Sequence, residues 1–303
     1  MFLRAIRNDV LRSKAVTLTT MAFVVAAAML VALAAILVVN LSGAIDTLMT
    51  RAKTPHFMQM HAGELDRERL AAFAGERGDV ADFQVLEFLN LEGAQFDFGD
   101  ATLAGSVQDN GITVQSGSFD FLLGLDGNVL EASEGQVYVP IAYLQDGTAT
   151  VGDTLSVAGT ELTVAGALRD SQMQSLLSSS KRFLVNEADF AELEPLGNME
   201  YLIEFRLHDL SALDAFEAAY VDAGLEANGP TLTYPLFRLI NGLSDGLMIA
   251  VILLISVLIL AIAFLCIRFT LMAKIEDDYR EIGVMKAIGL RVSDIKRLYL
   301  AKY

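Results

Sequence analysis

Two long uncharged stretches bracket this chain, and between them the apolar positions fall into short alternating and helical runs. Residues 15–45 are 31 positions without a charge, and residues 246–267 are 22. A membrane-spanning helix needs about 20 apolar residues, whereas the core of a signal peptide has about 7–15. Both stretches therefore predict transmembrane helices, at 15–45 and 246–267. Leu41, Ile45, Leu48 and Ala52 carry a helical period past the first stretch and predict a protruding stalk. Ala22 with Ala26, and Ala28 with Ala32, are small residues four apart, a spacing that lets a second helix approach closely. An alanine-rich anchor with no packing partner has the same composition.

The middle of the chain, 46–240, reads as an α+β domain. Alternation predicts strands over 56–61 and 80–91, and Leu65, Leu70 and Phe73 predict a helix over 64–75 between them. Residues 92–182 change character. They are rich in Gly, Asp and Ser, and read as an inserted β-rich subdomain. Asp109-Asn110-Gly111 and Asp126-Gly127-Asn128 are turn signals, and 151–167 reads as a hairpin joined near Ala158-Gly159-Thr160. Strands at 182–185 and 201–207 then alternate with helices at 187–193 and 211–223, the latter with Ser211 as its expected N-cap. A strand at 231–234 closes the sheet. From Pro235, Leu236, Leu239, Ile240 and Leu243 begin a helix that leads into the second span, with Asp245 at the boundary.

Charge sets the topology. The formal net charge of −16 is unevenly spread. Residues 1–14 carry Arg4, Arg7, Arg12 and Lys14 against Asp9; residues 46–245 carry 10 basic and 32 acidic side chains; residues 268–303 carry 8 basic and 5 acidic ones. Basic segments beside apolar spans stay inside, so both ends are expected to be cytoplasmic and 46–245 extracytoplasmic. Phe2, Leu3, Ile6, Val10 and Leu11 among the N-terminal basic residues read as an amphipathic helix on the inner leaflet, or as the basic region of a signal sequence. The single cysteine, Cys266, lies in the second apolar stretch, so the outer domain is held by its core without disulfides. No basic groove suggests a nucleic-acid partner.

Beyond the second span, residues 268–292 read as a cytoplasmic segment with a short helix at its centre. Ile282, Met285 and Ile288 recur every third residue, Arg280, Glu281 and Lys286 form a polar side, and Gly289 is placed to end the helix. Ser293 and Asp294 read as the start of a further helix over 293–303, a third span cut short, so the sequence is expected to be C-terminally incomplete.

Catalytic motifs are missing from the sequence. It has no Gly-x-x-x-x-Gly-Lys-Ser/Thr loop and no Gly-x-Ser-x-Gly elbow. His56, His61 and His208 have no metal-ligand spacing, and the many carboxylates read as a solvated acidic surface. The hydroxyl-rich run 171–182 connects two elements and offers Ser171, Gln172, Met173 and Ser175 as a possible substrate or partner surface.

Residues 280–289 (Arg-Glu-Ile-Gly-Val-Met-Lys-Ala-Ile-Gly), followed by Asp294-Ile295, closely resemble the inner-face motif of the FtsX-like permeases, the membrane subunits of MacB-type ABC transporters. Val151-Gly152-Asp153-Thr154-Leu155 and Arg169-Asp170-Ser171-Gln172-Met173 resemble outer-domain segments of the same family. The resemblance implies a bacterial plasma-membrane protein with a MacB-type core outside, made of porter-like βαβ parts and the inserted β-rich part. It implies a non-catalytic permease subunit with no cofactor of its own. ATP and Mg would be bound by a separate ABC ATPase, docked on a coupling helix at Arg280, Glu281, Gly283, Lys286, Ala287 and Gly289. It further implies pairing as a homodimer, or with a second permease half, and an extracytoplasmic substrate or partner protein. A two-span sensor, or a scaffold recruiting an outer partner, is the alternative from the residues alone; residues 268–303 have neither the proline nor the sustained heptads of the usual sensor continuation.

Overall fold

Helix α1 (Lys14–Arg51) is the first element of the computed structural model, which describes residues 14–293 and Ile295. The N-terminal amphipathic helix expected at 1–14 and most of the third span expected at 293–303, including Asp294, lie outside the described residues. The chain forms two compact units. One takes in α1 as far as Asn40 and the chain from Gly246 onward; the other is Leu41–Asp245.

The first unit holds most of two apolar stretches, Met21–Arg51 and Ile249–Phe269, whose most apolar 18-residue segments have mean hydropathies of 3.0 and 3.3. Each stretch is long enough to cross a bilayer. Among the described residues of these stretches within the unit, the buried side chains are Ala27 and Ala34 on one helix, and Ile249, Ser256 and Ala263 on the other. Each set is spaced seven apart, the repeat of a helix that meets its partner along one narrow seam. Ser256 Oγ is satisfied inside its own helix by the Ile252 carbonyl. Met29, Ile36, Leu254, Val257 and Phe264 stand exposed, as side chains in a lipid environment do. Ala22, Ala28 and Ala32 are exposed and Ala26 only half-buried, so the close-packing positions expected there are corrected to Ala27 and Ala34.

The second unit is built on a mixed sheet of ten strands among the described residues: β1 (Phe57–Ala62), β2 (Val80–Leu91), β3 (Phe96–Asp97), β4 (Asp109–Thr113), β5 (Gln136–Pro140), β6 (Thr154–Val157), β7 (Thr160–Leu168), β8 (Ser180–Leu184), β9 (Asn198–Leu207) and β10 (Thr231–Thr233). Their order is β10-β1-β9-β2-β4-β8-β5-β7-β6-β3. The first strand-helix-strand passage is β1, α2 (Arg67–Glu76) and β2, but β9 lies between its strands and is antiparallel to both, which makes it a split unit. Residues 92–182 do not form a separate sheet. Their strand β4 pairs antiparallel with β2 and parallel with β8, so the β-rich stretch continues the same sheet.

Alternation along β1, β2 and β9 gives this half of the sheet two apolar faces. Phe57, Ile203 and Phe205 pack with Leu70 of α2 and with Phe216 and Tyr220 of α5 (Leu213–Asp222). Met58, Met60, Phe88 and Leu202 on the other face pack with Met49 of α1, Met173, and Phe237 of α6 (Tyr234–Asp277). A second core at the far end of the sheet joins Leu89, Phe96, Val139, Leu155 and Phe183 to Phe190 of α4 (Glu187–Leu193).

Three local expectations differ from what forms. Asp109-Asn110-Gly111 is part of strand β4 and is not a turn. Asn110 is buried with its amide on the Gln108 carbonyl and its oxygen accepting from Tyr143 Oη at 2.6 Å, and the ring of Phe88 fills the space a Gly111 side chain would take. Tertiary packing has overridden the local turn propensity. The helix expected from Ser211 begins instead with a 3-10 turn, Leu210–Ala212, whose cap is Asp209 accepting from Ser211 N–H at 2.9 Å. The chain is already helical at Val292 and Ser293, so Ser293 is not an N-cap; Ile295 N–H reaches the Arg291 carbonyl. The 151–167 hairpin forms as read, with Ala158 at φ 50° and Gly159 at φ 96°, the left-handed pair of a tight hairpin turn.

Candidate functional site

The stretch expected to carry the coupling helix follows α6 as a short helix of its own, α7 (Tyr279–Ala287). Gly289, at φ 96°, donates to the Lys286 carbonyl and Leu290 N–H to that of Met285, which is the two-bond glycine end of a Schellman motif. Lys286 sits in the last turn, at the negative end of the helix dipole. Arg280, Gly283, Lys286, Ala287 and Gly289 are all exposed, while Ile282 and Met285 are half-buried. Glu281 is part of the helix, and its side chain lies outside what is described. Ile288 was expected to share the Ile282 face but is 71% exposed, and with Val284 and Leu290 it gives this segment an open apolar side beside its basic one. That combination can bind a protein surface.

The run 171–182 is organised differently from what its composition suggests. Ser171, Gln172, Met173 and Ser175 are buried, so the surface expected there is corrected to an internal fastening. The physical reason is the pair of basic residues at the start of β8. Lys181 Nζ donates to the carbonyls of Met173 at 2.7 Å and Ser175 at 2.5 Å, drawing the loop over the sheet. Burial lowers the Lys181 pKa to about 8. Arg182 grips two carboxylates. Its Nε and Nη2 donate to the two oxygens of Asp170, both at 2.6 Å, and its Nη1 and Nη2 donate to those of Asp120 at 2.5 and 3.2 Å. All three side chains are closed off from water. Burial alone pushes Asp170 up, but the Arg182 charge and hydrogen bonds outweigh it and leave the carboxyl below its usual range. Asp170 Oδ1 also accepts from the N–H groups of Gln172 and Met173, shaping the first turn of the loop.

Beside this group stands Glu204 of β9, fully buried. Burial, reinforced by the Asp120 charge, raises its pKa well above the ordinary carboxylate value. Gln84 Nε2 lies 2.8 Å from one of its oxygens, and Gln84 Oε1 in turn accepts from Ser116 and Ser118. The loop is also tied to the first turns of α6: Asn241 Nδ2 donates to the Ser171 carbonyl at 2.8 Å, and Ser175 Oγ to that of Ile240 at 3.1 Å. On the opposite side Asp120 N–H reaches the Lys53 carbonyl and Phe121 N–H that of Ala52, directly after α1. Reading the 32 carboxylates of 46–245 as one solvated surface missed Asp120, Asp170 and Glu204. The available signal was an acid at an inward strand position, Glu204 between Ile203 and Phe205.

Residues 253–303 match the family model FtsX-like permease C-terminal. No curated protein matches the chain. Among solved structures, the periplasmic region of MacB from Actinobacillus actinomycetemcomitans is similar at 11% identity and a TM-score of 0.37, covering 61% of this chain and 91% of that one. The extracellular domain of the noncanonic ABC-type transporter YknZ from Gram-positive bacteria is similar at 11% identity and a TM-score of 0.32, covering 58% and 100%. A putative lipoprotein from Bacillus anthracis is similar at 7% and 0.36, covering 58% and 96%. From residue 253 onward, the second apolar helix and the exposed α7 after it are similar to the C-terminal segment of FtsX-like permeases.

Proposed function

We propose that this chain is the membrane subunit of an ABC transporter of the FtsX/MacB type. A separate ATPase, binding ATP and Mg itself, docks on α7 and drives movement of the extracytoplasmic unit for export or extraction of a substrate. The observation that carries the reading is the family match at 253–303 falling on a span followed by a short, exposed, basic-and-apolar helix. Two features support transmission. Helix α6 is a single element from Tyr234 to Asp277, and helices transmit displacement along their axis with little compression. These 303 residues contain no phosphate-binding loop, and in this reading ATP is bound outside them.

The test is copurification of the full-length protein with a candidate ABC ATPase from the same genome. Charge reversal, Glu281→Lys with Lys286→Glu, is expected to abolish the complex; a complex that survives unchanged refutes the docking site. Topology is tested separately in a Cys266→Ser background. A cysteine replacing Val107, which is 99% exposed, should react with an impermeant maleimide in intact cells or spheroplasts, and one replacing Lys286 only after permeabilisation.

A further inference from the structure

Three independent ties converge on one guanidinium. Asp120 belongs to the loop whose backbone is bonded to Ala52 and Lys53 at the end of α1, and Lys53 Nζ reaches back to the Ser118 carbonyl of that loop at 3.2 Å. Asp170 begins the loop whose backbone and Ser175 hydroxyl are bonded to Ile240 and Asn241 in α6. Arg182 belongs to β8, inside the sheet. Its planar fork offers enough donors to hold two carboxylates edge to edge, which a lysine ammonium in the same place could not do with fixed geometry.

We propose that Arg182, holding Asp120 and Asp170 together, is the positioning residue that fixes the end of α1 and the first turns of α6 to a common point in the sheet. The end of α1 and the first turns of α6 then turn with the sheet and not separately.

The packing around this joint fits such a role. Where the two helices meet the sheet, Met49, Met58, Met60 and Met173 pack with Phe88, Leu202 and Phe237. Thioether side chains adapt to small displacements without losing contact, so they fill the space but leave orientation undefined. Orientation must come from directional bonds; Lys181 and Asn241 hold the loop by buried bonds to its carbonyls, and Arg182 is the buried side chain that grips both Asp120 and Asp170. The exposed pair Arg238–Asp46, 3.0 Å apart with both side chains more than half exposed, also links α6 to α1, but an ion pair in water holds little. Loop 170–175 carries a further sign of constraint: Ser171 Oγ, Gln172 Oε1 and Gln174 Oε1 are buried with no partner, so the loop keeps this path although three of its own polar groups are unsatisfied.

The inference deepens the transporter reading, since a permease driven from within needs its helices locked to the domain they move. The joint itself needs no ATPase to be tested. Hydrogen exchange on the full-length protein in nanodiscs separates its two arms. In Asp120→Asn, the amides of Asp120 and Phe121 are expected to exchange about tenfold faster or more, while those of Gln172 and Met173 stay protected. In Asp170→Asn the pattern reverses, and in Arg182→Met both arms open while β1 and β9 keep their protection. Spin labels at Asp46→Cys and Arg238→Cys, in the Cys266→Ser background, should show a distance distribution that broadens in Arg182→Met beyond either asparagine variant. Uniform loss of protection across the sheet, the same in all variants, would make Arg182 a general core residue and overturn the proposal. So would unchanged exchange at both arms in folded protein. If Arg182→Met does not fold, the two asparagine variants decide the matter by their opposite patterns. Loss of ATPase binding on charge reversal at Lys286 bears only on the docking site and leaves this result standing.

Discussion

Gln172 Nε2 lies 2.6 Å from Glu204 Oε1, with both side chains sealed inside the domain. That is short for an amide donor and ordinary for a hydroxyl donor. Gln172 Oε1, meanwhile, is buried without a partner, and the same amide also reaches Asp120. Nitrogen and oxygen of an amide have nearly the same shape. Turned over, Gln172 presents its oxygen to Glu204 and accepts a hydrogen bond from the hydroxyl of the neutral acid. Glu204 is therefore assigned as a buried neutral acid.

The neutral acid has a pH signature. Because the folded-state pKa of Glu204 is raised above the unfolded value of 4.5, the folded state holds a proton that the unfolded state releases. Stability from this residue is thus full below pH 4.5 and falls as pH rises, by at most about 1.4 kcal/mol per pH unit. Glu204→Gln removes that slope while keeping shape and hydrogen bonding. Thermal melts at pH 5 and pH 8 should show the variant gaining on the parent as pH rises. A difference that is flat with pH shows Glu204 to be ionised.

His56 slopes the other way. Its ring is half-buried, and Leu207 N–H donates to Nδ1 at 3.0 Å, which requires that nitrogen to be unprotonated. Burial, and then the Arg206 charge, lower its pKa from 6.5 to about 4. Its contribution is complete above pH 6.5 and is lost as pH falls toward 4, since the unfolded chain takes up the proton first. His56→Asn can still accept from Leu207. Its melting temperature should fall less steeply than the parent's between pH 6.5 and 4, and equal slopes would remove His56 from the acid response.

Gly111 tests the reading of β4 as a strand. A methyl group there meets the Phe88 ring, and the backbone is held between Asn90 and Arg182 by its strand pairings. Gly111→Ala is expected to cost about 1–3 kcal/mol by overpacking. Phe88→Leu makes room, so the double variant should lose less than the sum of the two single changes. Chemical denaturation of the four proteins measures the coupling. Strict additivity would mean that Phe88 and Gly111 do not touch.

Some elements were legible in the sequence because burial on one face leaves a repeat, as in α2 and the 160–168 strand, and the two apolar helices because they are long runs without charge. Polar burial leaves no repeat. Asp109-Asn110-Gly111 has the composition of a turn, and only the distant residues Phe88 and Tyr143 explain why it is a strand. The same limit hid the Arg182 group. Asp120, Asp170 and Arg182 are up to 62 residues apart, and nothing local in their neighbourhoods separates them from surface charges. The α7 segment was legible for the opposite reason. Its cap is local, and Gly289, Lys286 and Met285 suffice to define it.

Gly283 and Gly289 look alike in the sequence and should behave in opposite ways. Gly283 lies inside α7, and a methyl group there has nothing within 4 Å to meet. Alanine in a helix interior is favoured over glycine by about 0.5–1 kcal/mol, so Gly283→Ala should make α7 more helical. Gly289 has equal room, but its φ of 96° strains any side chain, so Gly289→Ala should fray the last turn and release the Lys286 and Met285 carbonyls. Hydrogen exchange over 279–290 reads both effects in the isolated protein. Binding to the ATPase then separates shape from stability. If Gly283 lies in the contact, Gly283→Ala weakens the complex although the helix is firmer. Gly289→Ala weakens it through the frayed end, and a lysine at position 283 should abolish it. Unchanged affinity in Gly283→Ala and Gly283→Lys, with Gly289→Ala alone impaired, would place the contact on the basic end of α7 and away from its exposed glycine face.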